Sequence, residues 1–140
     1  MTPKTSAKLV KLVAWGFLAF AFVWALAPYG AVNEPARLLL DLLDWPLGDA
    51  APDLSRSEMW LSSIGAGLVV GISILLLGVV APAVEASNKK TVRVTIWAFI
   101  GWYVVDSAGS VASGVPSNAV FNAVFLAAIL IPLLTVRYET

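Results

Sequence analysis

Long uncharged stretches alternate with short charged ones along this chain. Between Lys11 and Glu34 the run Leu12 to Asn33 carries no charge, and between Glu58 and Glu85 the run Met59 to Val84 carries none. After Arg93, Val94 to Ser113 is interrupted only by Asp106; after Gly114-Val115-Pro116, Ser117 to Val136 is again uncharged. A helix needs about 20 apolar residues to cross the ~30 Å hydrocarbon core of a bilayer. The pattern predicts four transmembrane helices, over about 12–32, 59–84, 94–113 and 117–136, in one domain with an outer loop at 33–58. The expected fold is all-α, a membrane four-helix bundle with one short amphipathic helix at the outer interface.

That short helix is read from the loop. Glu34 to Trp45 repeats leucines around Arg37, Asp41 and Asp44, whose i, i+4, i+7 spacing puts the charges on one face. Pro35 suits a first helical turn, Arg37 and Asp41 can pair one turn apart, and Pro46 and Gly48 end the helix. The expected role is a solvated lid over the helix ends, in the interface.

Charge then orients the chain. Lys4, Lys8, Lys11, Lys89, Lys90, Arg93 and Arg137 fall on one side of the four spans. The other side holds Arg37 and Arg56 with Glu34, Asp41, Asp44, Asp49, Asp53 and Glu58. The positive-inside bias predicts that the lysine-rich side, with both termini, is cytoplasmic. The first span has a basic start and an Ala25-Leu26-Ala27 triplet like a signal-peptide cleavage site. However, Pro28 would follow the cut and the run continues to Val32, so the segment reads as retained. Tyr29, Trp60 and Tyr138 fall at span ends, as interfacial anchors do; Trp15, Trp24, Trp97 and Trp102 lie deeper and read as packing.

Two places inside the spans stand out. In the second, Ser63, Gly67 and Gly71 recur every four residues, the small-xxx-small pattern that lets helix backbones approach closely in lipid. They are expected to contact another helix, within the bundle or in a partner. In the third, Asp106 is the only charge within any span, and intramembrane acids usually face the protein interior. Ser110 and Ser113 follow at i+4 and i+7 on the face that also carries Trp102, and Asn118 and Asn122 lie one turn apart on the next helix. If the hairpin turns at Gly114, Asp106 and Asn122 are each eight residues from the turn, about 12 Å deep at ~1.5 Å per residue. Ser110 then faces the level of Asn118. The spacing predicts a polar ladder in which Asn122 donates to Asp106. Two readings follow: a staple that fixes the hairpin register, or a site for a proton, a cation or a polar headgroup.

Composition narrows the chemistry. Of 140 residues 59% are apolar and 13% charged, against about 25% charged in soluble domains. The net charge is zero, which gives no electrostatic case for nucleic acid. With no histidine and no cysteine, haem ligation through either residue, Fe–S clusters, disulfides, structural zinc and imidazole general-base chemistry are excluded. No metal site, cofactor or catalytic set is expected, because Asp106 has no accompanying nucleophile or second acid.

The first span ending at Leu26-Ala27-Pro28, the glycine-rich Ile64-Gly65-Ala66-Gly67-Leu68 and the acidic–small stretch from Asp106 to Gly114 resemble small four-helix membrane proteins of proteobacteria that have no assigned function. The resemblance carries over no functional residue; topology and size point to a multi-pass protein of a bacterial inner membrane. The leading expectation is a non-catalytic accessory or scaffolding subunit, whose partners are the bilayer and another membrane protein or a second copy. The alternative is a small carrier or binding protein for a proton, cation or lipophilic molecule, centred on Asp106.

Overall fold

A computed structural model describes residues 1–46 and 53–138. Helix α1 spans Pro3–Trp24; the Thr2 hydroxyl caps it by accepting from the Thr5 N–H at 3.2 Å, and Pro3 occupies the first turn. The span expected at 12–32 is thus shifted toward the N-terminus. Lys4, Lys8 and Lys11 lie within the helix, because long lysine stems can run along apolar surface while their charge stays in water. Turns replace helix after Trp24, and Pro28, which disfavours helical backbone in the residue before it, lies among them.

Helix α2, Glu34–Leu43, carries Pro35 in its first turn and ends two residues earlier than Trp45; Gly48 and Asp49 lie outside the described residues. Helix α3, Arg56–Glu85, opens on a capping box: the Ser55 N–H donates to Glu58 Oε2 at 2.6 Å, and the Glu58 N–H to Ser55 Oγ at 3.3 Å. A π turn at Leu76–Val80 widens α3 just before Pro82, where a proline ring would otherwise meet the carbonyl four residues back.

Helix α4, Lys89–Ala112, follows a tight turn. Ser87 (φ 58°) is left-handed, the Asn88 N–H reaches the Ala83 carbonyl at 2.8 Å, and the Asn88 side chain caps the new helix at Thr91. The same device joins α4 to α5, Pro116–Thr135. Gly114 (φ 85°) takes the left-handed position and the Val115 N–H returns to the Ser110 carbonyl at 2.9 Å. The hairpin turns where the sequence places it.

Four helices, α1, α3, α4 and α5, are long and apolar enough to cross a membrane, and the chain is a multi-pass, all-α membrane protein. Met1 and Arg137 meet at one end, where the Arg137 N–H donates to the Met1 carbonyl at 2.9 Å. This is the basic end. The core sits in its half of the bundle: Ala7, Val10 and Ala14 of α1 pack with Leu76, Val80 and Val84 of α3, Val92 and Phe99 of α4, and Ile129 and Leu133 of α5. Buried Ser6 ties α1 to α5 by donating to the Pro132 carbonyl at 2.7 Å, one of the last-turn carbonyls with no partner in its own helix. Burial pushes the Tyr138 phenol pKa up, and Lys89 Nζ stands 5.6 Å from its ring centre.

Toward the other end α3 and α4 diverge, since α4 meets α3 chiefly through Leu76–Glu85. Helix α2 lies across α1 and α5 there, its Leu43 carbonyl accepting from Ser117 Oγ at 2.7 Å.

Of the two contacts expected for the glycine face of α3, the one within the bundle is not made. Ser63, Gly67 and Gly71 face out of the bundle, and a Cβ added at either glycine would meet nothing within 4 Å. The face that packs against α1 carries Ser62, Ala66 and Ser73 instead. Ser62 and Ala66 are also a small-xxx-small pair, offset by one residue, and one residue turns a helix by about 100°. Gly65 is needed for close approach: an added Cβ there would collide with the indole of Trp24.

Candidate functional site

The half of the α4–α5 hairpin nearer Gly114 holds a polar cluster. Asn122, buried on α5, donates from Nδ2 to Asp106 Oδ1 at 2.7 Å. Asn118 Nδ2 reaches the same oxygen at 3.2 Å and Ser110 Oγ at 2.8 Å. The Ser110 hydroxyl lies 2.9 Å from the Asp106 carbonyl and 3.3 Å from Oδ1, a shared donation that keeps it beside the carboxyl group. The ladder follows from register: equal distances from Gly114 bring Asp106 to the depth of Asn122.

The donors all converge on one oxygen. Among the described residues none is directed to Oδ2, and no lysine or arginine pairs with Asp106. Trp102, Asp106, Ser110, Ser113, Asn118 and Asn122 line one open cavity of about 690 Å³. Ser113, at the end of α4, is exposed and lies on its wall. The volume falls in the range of about 300–1,000 Å³ usual for small-molecule sites.

Sequence reasoning missed most of the rest of the cavity. Phe17, Phe20 and Trp24 of α1 form one wall, and Phe99 and Phe125 complete it with Trp102. The rings interlock edge to face: Phe17 with Phe125 at 5.7 Å, Phe20 with Phe125 at 5.3 Å, and Phe20 with Trp24 at 5.8 Å between centres. The i, i+3, i+7 spacing of Phe17, Phe20 and Trp24 was the available signal. Trp24 and Trp102 are therefore cavity residues, whereas Trp15 and Trp97 face outward.

Helix α2 presents its charged side to the cavity. Arg37, Asp41 and Asp44 line it together with Glu58 of α3, while Leu38, Leu42 and Trp45 are exposed on the outside. The lid thus turns its charged residues inward, beside Leu40 and Leu43, and Leu38, Leu42 and Trp45 outward. Arg37, the one basic residue lining the cavity among the described residues, pairs with Asp53 at 3.1 Å. The site is therefore aromatic on its sides, acidic at its rim and carries a carboxyl group within.

No known protein family, curated protein or solved structure matches the chain.

Proposed function

We propose that the protein binds a lipophilic organic cation in this cavity, as a small membrane binding protein or carrier. The observation that carries the reading is Asp106: an intramembrane carboxyl group on a cavity wall, with an oxygen left to a ligand and no basic partner among the described residues. A carboxylate in hydrocarbon is costly unless paired, so a bound cation offsets that cost. The aromatic walls supply apolar area and ring faces that attract cationic groups. Asp41, Asp44 and Glu58 at the rim favour entry of the same sign of charge. The positive-inside bias supports a cytoplasmic basic end, in a bacterial inner membrane, with the cavity on the far side.

The test uses tetraphenylphosphonium as probe and the whole purified protein in detergent. Saturable binding is expected, together with at least about a tenfold loss in Asp106→Asn, which keeps the shape and can still hydrogen-bond. Neutral tetraphenylmethane is expected not to compete. Equal binding by Asp106→Asn and the parent protein, with both folded, would overturn the reading.

A second reading, an accessory subunit that packs against another membrane helix, draws support from the outward face of Ser63, Gly67 and Gly71. Isolation in native lipid particles decides it. A partner at fixed stoichiometry that Gly67→Leu releases supports this reading, and a lone protein speaks against it.

A further inference from the structure

A second cavity, about 550 Å³, lies in the basic half between α3 and α4. Leu75 and Val79 form one bank and Val94, Ala98 and Trp102 the other, with Lys90 at its end. Leu75, Val79 and Val94 are each at least half exposed, so the furrow opens sideways to the surrounding membrane. No acidic residue lines it, and Lys90 has no ion-pair partner among the described residues. Its neighbour Lys89 is engaged over Tyr138.

The dimensions select the occupant. From Lys90 to Trp102 the furrow runs about 18 Å along α4 at ~1.5 Å per residue. One leaflet contributes about 15 Å, half of the ~30 Å hydrocarbon core, so the length suits one acyl chain. Its banks are mostly apolar along that length, as a hydrocarbon chain requires. The lysine stands at the basic end, where the headgroup of a lipid in that leaflet belongs, and Arg93 lies one turn further along α4. Basic pockets between membrane helices attract anionic headgroups.

We infer that this furrow is a site for an anionic phospholipid of the basic-end leaflet, one acyl chain lying between α3 and α4 and the phosphate on Lys90. The furrow shares Ile72, Phe99 and Trp102 with the larger cavity but does not include Asp106, and the inference does not rest on a cation binding there.

The experiment is native mass spectrometry and thermal melting of the whole delipidated protein, titrated with phosphatidylglycerol or with phosphatidylcholine of the same chains. One phosphatidylglycerol is expected to bind and raise the melting temperature, with phosphatidylcholine clearly weaker. Lys90→Gln is expected to weaken phosphatidylglycerol about fivefold, the scale of one basic residue at a membrane surface. Lys11→Gln, at the same end but on α1, should leave it unchanged. Val94→Trp, which fills the furrow while Lys90 remains, should abolish binding; Ala98→Phe is the substitute should that variant melt abnormally without lipid. Equal binding of the two lipids would overturn the assignment. So would an equal effect of Lys11→Gln and Lys90→Gln, or undiminished binding by the filled variant.

Discussion

Asn122 and Asp106, one on each arm of the α4–α5 hairpin, meet at 2.7 Å, and the bond joins the two helices. Interhelical hydrogen bonds in membranes are worth about 0.6 kcal/mol on average and about 1.7 at most. A double-mutant cycle of Asp106→Ala and Asn122→Leu, read by unfolding in bicelles, is expected to give a coupling in that range. Coupling near zero would mean that the pair does not hold the hairpin and that ligand binding is the main role left for Asp106.

The two faces of α3 make opposite predictions. Ala66 packs inside the bundle and Gly67 faces out. Ala66→Leu should overpack the α1–α3 contact and cost about 1–3 kcal/mol. Gly67→Leu should be neutral or slightly stabilising for the isolated chain, because glycine costs about 1 kcal/mol in a helix interior. Thermal melting of both variants checks the assignment; the reverse order of stabilities would refute the orientation of α3.

What the sequence makes legible follows from how local each feature is. Span number and type come from uncharged runs alone, and the Asp106–Asn122 level follows from two counts to Gly114. The face of α3 is another matter. Ser62-xxx-Ala66 and Ser63-xxx-Gly67 satisfy the same rule, and only the position of α1 chooses between them. The end of α1 was misplaced because charges were counted, whereas the helix includes Lys4, Lys8 and Lys11 and stops short of Pro28. For α2, spacing defined a charged face without saying that it points inward. The cavity depends on the divergence of α3 from α4, a tertiary property with no local signal.

Trp24 and Gly65 test whether the aromatic wall takes part in binding. The indole rests where a Gly65 side chain would be, so Gly65→Ala must push the ring aside. Tetraphenylphosphonium affinity is expected to fall about threefold to tenfold, the scale of one ring's cation–π contribution. Trp24→Leu should fall by a similar amount, and the two changes together should add little. Wild-type affinity in Gly65→Ala would remove Trp24 from the site.

Orientation can be tested cleanly because the chain contains no cysteine. Asp44 caps the end of α2 at the rim of the cavity and is exposed, whereas Lys8 is on α1 at the basic end and is also exposed. If the basic end is cytoplasmic, a membrane-impermeant thiol reagent added to intact cells should label Asp44→Cys and leave Lys8→Cys unlabelled until the membrane is opened. Neither substitution touches the core, so both proteins should accumulate normally. Labelling of Lys8→Cys alone in intact cells would reverse the topology. The acidic rim would then lie on the cytoplasmic side, and any cation reaching Asp106 through it would come from within the cell.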